Sequence, residues 1–198
     1  MPTVLRAPAE PVGPVQSKRR QRVLSVAAEL GERDGFDRVQ MMDIAKGAGV
    51  AIGTLYRYFP SKSQLYSIVL YEELHRFAAS WVSPPGPDAV GEVGEHLVLL
   101  TRRLATRPRL AAAMIQCATA GYVTASLSEV AMQQLPLRQS ILRAINAHDP
   151  TEEECNRVKL LQYAWWGVFV SIIDGKTTPA EGEGEIRLAA RLLLANCA

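Results

Sequence analysis

The chain has 198 residues, of which 48% are hydrophobic. That content is enough for one sizeable core, or for a core with a small satellite domain, and it excludes a disordered or collagen-like chain. The formal net charge is only +2, but residues 1–62 hold ten basic side chains against six acidic ones, and the remainder holds twelve against fourteen. The positive charge therefore lies at the front of the chain, which favours a nucleic-acid surface there.

The cysteine pattern, the N-terminal segment and the length of the apolar runs together indicate in which cellular compartment the protein acts. Cys117, Cys155 and Cys197 show neither the paired spacing of a zinc site nor the even count of a disulfide framework, so we expect a cytoplasmic protein without metal or cofactor. Residues 1–16 are rich in proline and lack the apolar core of a signal peptide, which predicts a disordered tail. The longest apolar run, 163–173, is shorter than the roughly 20 residues that cross a bilayer, so no membrane span is expected.

Three helices are predicted between residues 17 and 62. Helix 1 covers 17–35, because apolar residues recur there at i, i+3, i+4 and i+7. Helix 2 begins near Met41 and is ended after about two turns by the glycines of "KGAGV". Helix 3 lies in "VAIGTLYRYFPSK", where Ile52, Leu55 and Phe59 line one side. Two short helices joined by a glycine-bearing turn and braced by a longer one describe a helix-turn-helix.

The other side of helix 3 carries the groups that a recognition helix needs. A helix in the major groove uses hydroxyls and cations to hold phosphates and small residues where the backbone comes close. We place both tyrosines of helix 3 on this outer side, because they cannot share the face of Leu55 and Phe59. The alternative is that the tyrosines only cover the edge of the core. The residues on this side are Gly53, Thr54, Tyr56, Arg57 and Tyr58.

The segments on either side of the motif extend the predicted surface. The cluster "SKRRQR", 17–22, can lie along the flanking backbone or reach into the minor groove as a basic arm. "SKSQ" is a capping box, in which Ser61 caps the next helix and Gln64 reaches back. Lys62 then sits at a helix N-terminus, where amide groups also attract phosphate.

The segment "VQMMDIAKGAGVAIGTLYRYFPSK" closely resembles the helix-turn-helix of the TetR family of bacterial repressors, whose recognition helix commonly contains G-T-L-Y-x-Y-F followed by a lysine. The resemblance implies that Tyr56, Tyr58 and Lys62 contact phosphates and that Ala51, Gly53 and Thr54 contact base edges or backbone. Many members have a threonine that contacts phosphate where this chain has Met41, and Gln40 could substitute for it. The predicted DNA-binding residues are Lys18, Arg19, Arg20, Gln40, Ala51, Gly53, Thr54, Tyr56, Arg57, Tyr58 and Lys62.

The remainder of the chain is also predicted to be helical, with no sustained strand pattern. Helix 4 runs from about Lys62 to Trp81 and ends before the linker "SPPGP". We therefore expect an all-α protein with a disordered tail (1–16), a helix-turn-helix head (17–62) and a ligand-binding and dimerisation body (63–198), nine helices in all as the family implies. The further helices are predicted at 89–106, 109–118, 126–147, 151–174 and 179–195.

The last two helices predict assembly. "RVKLLQYAWWGVFVSIIDG" is apolar almost all round, so one face packs on its own domain and the other requires a partner. The resemblance implies a homodimer through these helices, which presents two recognition helices to two half-sites. The alternative is a helix buried wholly inside one monomer. The second apolar stripe is predicted at Ile186, Leu188, Ala189, Leu192 and Leu193.

Six apolar or amphipathic residues are candidates for an effector pocket, with ordinary core packing as the alternative for each. Because they include no carboxylates, a large hydrophobic effector is favoured over a polycation. The segments "RPRLAAAMIQCATAG" and "PTEEECNRVKLLQYAWWGVF" are similar to the actinobacterial cholesterol-catabolism (KstR-like) subgroup, which implies steroid acyl-CoA thioesters. Arginines at 102, 103, 107 and 109 could then meet the CoA phosphates, or form a solvated face. The candidate pocket residues are Met114, Cys117, Tyr122, Trp165, Trp166 and Phe169.

No catalytic set is expected. The three histidines are scattered singly, and the chain has no H-E-x-x-H, nucleophile elbow or phosphate loop. We therefore predict a repressor that binds a palindromic operator as a dimer and is released by a hydrophobic small molecule. The alternatives are an efflux-type or other small-molecule-sensing regulator of the same fold, or a ligand-binding protein without DNA function.

Overall fold

The structure is a computed structural model that describes residues 13–81, 88–123 and 136–195, with the backbone alone for 119–123 and 136. These described ranges contain nine α-helices and no strand, which confirms the predicted all-α class. The helices are α1 (Pro14–Asp34), α2 (Met41–Ala48), α3 (Ile52–Tyr58), α4 (Lys62–Ser80), α5 (Ala89–Ala105), α6 (Pro108–Val123), α7 (Pro136–Ala144), α8 (Glu152–Ile173) and α9 (Pro179–Leu194).

Local signals explain where several helices begin. A proline follows the N-cap of α1 at Gly13, and α1 therefore starts at Pro14, earlier than the predicted residue 17. Complete capping boxes at Thr151 and Thr178 start α8 and α9, because each threonine accepts from the amide three residues on and a glutamate there accepts in return. These hydrogen bonds lower the pKa of both glutamates, Glu154 and Glu181.

Two boundaries differ from prediction. Helix α6 continues to Val123, beyond the predicted end at residue 118. The predicted helix 126–147 corresponds to α7, which ends at Ala144, while residues 124–135 lie outside the described part of the chain. No described helix is long and apolar enough to span a bilayer.

The described residues form two compact units. The first contains α1, α2, α3, α4 up to Glu72, and α6; the second contains the rest of α4 with α5, α7, α8 and α9. Helix α6 therefore belongs to the same unit as the three N-terminal helices and packs against α1, although it comes later in the chain. The predicted division of the chain at residue 62 stays a prediction.

The core of the first unit is built around two buried rings. Phe59 and Tyr66 are both fully buried, and the Tyr66 hydroxyl donates to the carbonyl of Ala27 at 2.9 Å. Burial raises the pKa of Tyr66. Phe36 packs edge-on against the Tyr66 ring, with ring centroids 5.6 Å apart. Gly31 faces the same ring so closely that a Cβ there would lie 2.7 Å from Cε1.

Helix α6 is joined to the end of α1 by three cross-helix hydrogen bonds. Arg107 Nη2 donates to the Ala28 carbonyl and Arg109 Nη1 donates to the Arg33 carbonyl, both at 2.8 Å. In return, Glu32 Oε2 accepts from the amide of Leu110 at 3.0 Å. The Arg33 carbonyl and the Leu110 amide lie at helix ends, where backbone groups have no partner within the helix, so these two bonds satisfy them.

In the second unit, α8 and α9 each divide into a buried and an exposed side. The buried side of α9 contains Ile186, Ala190 and Leu194, whereas Leu188 and Leu192 are exposed. Ile186 therefore does not share the exposed side with Leu188 and Leu192 of the predicted apolar stripe, because it is fully buried within its own chain. Two bidentate or near-bidentate arginine contacts fix α5 on α9: Arg102 with Glu183, and Arg187 with Glu95. On α8 the buried residues are Val158, Leu161, Gln162, Trp165 and Phe169.

Candidate DNA-binding interface

The turn between α2 and α3 depends on one glycine. Gly49 has φ +60° in the left-handed region, which side chains with a Cβ rarely adopt. Its amide donates to the carbonyls of Ala45 and Lys46, and the amide of Val50 donates to Ala45 at 3.0 Å. The chain reverses there and α3 begins at Ile52, so the geometry is that of a helix-turn-helix.

The outer side of α3 carries most of the predicted DNA-binding residues. Gly53, Tyr56 and Arg57 are exposed, as is Ala51 before the helix, and Thr54 is partly exposed. A Cβ at Gly53 would meet nothing within 4 Å, so another molecule can approach the backbone there. The Arg57 guanidinium lies 5.3 Å from the centroid of the neighbouring Tyr58 ring and so covers it.

The placement of Tyr58 on this outer side was wrong. Tyr58 is only 3% exposed, and its hydroxyl donates to Gln16 Oε1 at 3.2 Å. Because Tyr58 follows Leu55 by three residues, the helical period puts both on the buried face, and Phe59 joins them. A phosphate contact through Tyr58 stays a prediction, and it requires the hydroxyl to exchange its bond with Gln16.

Lys62 has partners inside the protein. Its Nζ donates to the carbonyls of Phe36 at 2.7 Å and Val39 at 2.9 Å, and lies 4.3 Å from the centroid of the Phe36 ring. The ammonium thus fixes the loop between α1 and α2, a role that sequence analysis missed because it depends on the folded positions of two carbonyls. An ammonium has three N–H donors, and the two carbonyls use two of them. The predicted phosphate contact of Lys62 through the third donor stays a prediction.

The basic cluster before the motif is helical and only partly free. Residues 17–22 belong to α1, so a basic arm formed by them is helical, and its predicted contact with the flanking backbone or the minor groove stays a prediction. Lys18 and Arg19 are exposed, but Arg20 forms an ion pair with Glu72 at 2.7 Å.

The predicted capping box before α4 is only half formed. The backbone amide of Gln64 donates to Ser61 Oγ at 3.1 Å. The side-chain oxygen of Gln64, Oε1, is buried without a hydrogen-bond partner and does not accept from the backbone of Ser61.

An open surface pocket of about 420 Å³ joins the start of α2 to α3. It includes Gln40, which occupies the N-cap position of α2 with an extended backbone and makes no side-chain capping bond. It also includes Met42, which sequence analysis missed; the signal is that Met42 falls outside the periodic buried face of α2. The lining residues are Asp37, Val39, Gln40, Met41, Met42, Ile52, Tyr56 and Lys62.

The predicted effector residues fall into two groups. Trp165, Trp166 and Phe169 form a three-ring cluster in the second unit; Trp165 and Phe169 are stacked at 5.8 Å, and Trp165 Nε1 donates to Thr101 Oγ1 at 2.9 Å. In the first unit, Met114 and Cys117 are buried. Burial raises the pKa of the Cys117 thiol to about 12. The side chain of Tyr122 lies outside the described side chains.

The four arginines considered for CoA phosphates all have protein partners. Arg102 binds Glu183 through two hydrogen bonds, and Arg103 lies 3.6 Å from Glu73. Arg107 and Arg109 donate to the carbonyls of α1 described above. Contacts with CoA phosphates would have to replace or share these bonds.

Two family models match the chain, one over this interface and one over the later helices. Residues 23–68 match the model described as bacterial regulatory proteins of the tetR family. Residues 86–193, more than half of the chain, match the tetracyclin repressor-like C-terminal domain. The chain belongs to the TetR family. The helix-turn-helix described above is therefore part of a TetR-family protein, and the family consists of bacterial transcriptional regulators.

Relatives within the TetR family agree with this assignment. The transcriptional repressor KstR of Rhodococcus jostii is 29% identical over 90% of this chain and 84% of its own, and KstR of Mycobacterium tuberculosis is 28% identical over 98% and 89%. A crystal structure of a TetR transcriptional regulator from Rhodococcus sp. RHA1 is 39% identical, covers 93% of this chain and 98% of its own, and has a TM-score of 0.82. The predicted family and KstR-like resemblance are confirmed, and these relatives are regulators, not enzymes.

Proposed function

We propose that the protein is a transcriptional repressor that binds a palindromic operator as a twofold dimer and leaves it when a hydrophobic small molecule binds. The observation that carries the proposal is the division of α3 into two faces. Leu55 and Tyr58 are buried, while Gly53 and Tyr56 are exposed beside Arg57. A seven-residue helix held on one face and rich in hydrogen-bonding groups on the other fits the major groove.

The proposed DNA contacts divide by chemistry. The Tyr56 hydroxyl and the exposed cations Lys18 and Arg19 can hold phosphates. Ala51 and Gly53 have little or no side chain, so the start of α3 can approach the base edges closely. In this proposal residues 17–62 act as the DNA-binding head and 63–198 as the body, and the protein acts in the cytoplasm.

The proposed dimer uses the exposed sides of α8 and α9. Exposed apolar side chains follow helical spacing on both helices, at Leu160 and Tyr163 on α8 and at Leu188 and Leu192 on α9. A monomeric protein rarely presents apolar stripes on two adjacent helices. Packing them on a symmetry mate gives a four-helix bundle with an isologous interface.

The proposed effector is a hydrophobic molecule, possible classes being a steroid or an acyl-CoA thioester, as expected for KstR-like proteins. The aromatic cluster of Trp165, Trp166 and Phe169 in the second unit supports an apolar ligand, since none of these side chains carries a charge. In the first unit, Met114 and Cys117 are likewise buried and uncharged at neutral pH. Release follows if the effector binds best to a state in which α4 has moved and the two heads no longer fit the half-sites.

We expect the substitution Tyr56→Phe to weaken operator binding about tenfold, because it removes one hydroxyl that donates to a charged phosphate. The operator is a duplex enriched from a random pool by the protein itself, and the dissociation constant is measured by fluorescence anisotropy. Tyr71→Phe is the matched control, because Tyr71 is 40% exposed against 48% for Tyr56 and lies on α4. Equal affinities of Tyr56→Phe and the wild type would show that the Tyr56 hydroxyl does not hold a phosphate.

We expect a steroid acyl-CoA or fatty acyl-CoA to raise the melting temperature by several degrees at a hundredfold excess over its dissociation constant, because it binds the native state selectively. A thermal-shift screen with free steroids, fatty acyl-CoA and steroid-CoA measures this. The same compound must also dissociate the operator complex. A panel in which no compound does either contradicts the effector part of the proposal.

A further inference from the structure

Met42 is an apolar residue whose side chain is exposed and lies outside the buried face of α2. It lies in the first turn of α2, is 62% exposed, and points away from the buried face formed by Met41, Ile44 and Ala45. A single exposed apolar residue needs no explanation in general. Met42, however, lines the same open pocket as Tyr56 of α3, which the proposed function places against DNA.

The charges of this pocket favour an uncharged occupant. Its lining contains one acidic residue, Asp37, and one basic residue, Lys62. The Lys62 ammonium is directed at the carbonyls of Phe36 and Val39, so it adds little positive charge to the open side. A phosphate is held by donors and cations that face it. Apart from the Tyr56 hydroxyl contributed by α3, the lining therefore offers the DNA backbone little and is better suited to base edges.

The remaining lining has the chemistry of one base edge. Met42 and the partly exposed Ile52 provide apolar surface, and the Gln40 amide lies beside them without a capping bond. Among the groups that base pairs present in the major groove, the C5-methyl of thymine is the apolar one, and side-chain amides pair with adenine. Ala51 and Gly53 are not among the lining residues, but they flank Ile52 and are exposed, and a Cβ at Gly53 would meet nothing within 4 Å, so the start of α3 can approach another molecule closely.

We propose that Met42 is a specificity-determining residue that packs on the C5-methyl group of a thymine in each operator half-site. The inference rests on the proposed function, since it requires α3 to lie in the major groove. Met42 then selects sequence, while Tyr56 fixes the position of the helix on the backbone.

Replacement of thymine by uracil tests this assignment, because uracil lacks only the methyl group. Each thymine of the enriched operator is replaced in turn, symmetrically in both half-sites, and the dissociation constant is measured for the wild type and for Met42→Ala. One buried methyl contributes about fourfold in affinity. We expect the wild type to lose about fourfold per half-site, roughly sixteenfold in total, at one symmetric position, and Met42→Ala to lose nothing at that position.

Three further measurements distinguish the alternatives. Met42→Leu keeps the apolar contact and should keep the uracil sensitivity, as should Val15→Ala, which shortens an equally exposed apolar residue outside the pocket. Met42→Gln is a second variant of similar size and should lose the uracil sensitivity, because it replaces the apolar contact by a polar amide. Unchanged sensitivity in both Met42→Ala and Met42→Gln, or an equal loss of affinity by them on every duplex, overturns the inference but not the proposed function. Failure of the wild type to bind any duplex selectively overturns both.

Discussion

Replacing Gly31 by alanine is expected to lower the free energy of unfolding by about 2–3 kcal/mol. The added Cβ would lie 2.7 Å from Tyr66 Cε1 and 2.8 Å from the Tyr66 hydroxyl oxygen. The ring cannot yield easily, because it is fully buried and its hydroxyl bonds to Ala27. Urea unfolding followed by circular dichroism, at a fixed protein concentration, measures the change.

Two comparisons isolate the cause of this loss. Gly53→Ala introduces the same methyl into a helix where it meets nothing within 4 Å, so stability should be unchanged or slightly higher. In a Tyr66→Leu background the ring atoms that the new Cβ would meet are absent. Gly31→Ala should therefore lower the free energy of unfolding by less than it does in the wild type, so that the two substitutions are energetically coupled. A Gly31→Ala protein within about 0.5 kcal/mol of the wild type would show that α1 and α4 are not packed as described.

Substitution of Leu188 by glutamate is expected to weaken the dimer at least a hundredfold and to weaken operator binding with it. Leu188 is 48% exposed in one chain and lies on the apolar stripe of α9 with Leu192. In the proposed dimer the new carboxylate would be buried without a partner, which costs several kcal/mol. Sedimentation equilibrium measures the dissociation constant of the dimer.

The control for this prediction is Leu99→Glu. Leu99 is 49% exposed, so the same charge is introduced on an equally exposed leucine, but on α5 instead of the proposed interface. We expect Leu99→Glu to remain dimeric and to bind the operator. The dimer proposal is contradicted if the wild type is monomeric at micromolar concentration. It is also contradicted if the dimers of Leu188→Glu and Leu99→Glu have equal dissociation constants.

The fold class and the family were predictable because their signals are local. Helical periodicity and the glycine at the turn act within a few residues, and both are found in the structure. The capping boxes at Thr151 and Thr178 are equally local, although only the one at Ser61 was predicted from the sequence. The faces of short or crowded helices were less predictable. Tyr58 is buried with its hydroxyl bonded to Gln16 of α1, 42 residues earlier in the chain. Ile186 is fully buried on a helix that packs against both α5 and α8.

The roles of the cations were the least predictable part of the candidate site. A lysine or arginine at a helix end has the same local pattern whether it faces a phosphate or a carbonyl. Lys62 and Arg107 each donate to backbone carbonyls of segments distant in sequence, and Arg20 pairs with Glu72. Such partners are determined by tertiary packing, so sequence alone could locate the positive charge but not its target.

Enrichment of a random duplex pool by the purified protein tests whether α3 of a dimer binds a specific operator. We expect the enriched duplexes to share an inverted repeat and an even number of chains to bind each duplex. Scrambled duplexes should bind at least a hundredfold more weakly at physiological salt. Equal affinity for enriched and scrambled duplexes, or an odd number of chains on each duplex, would contradict the proposed function.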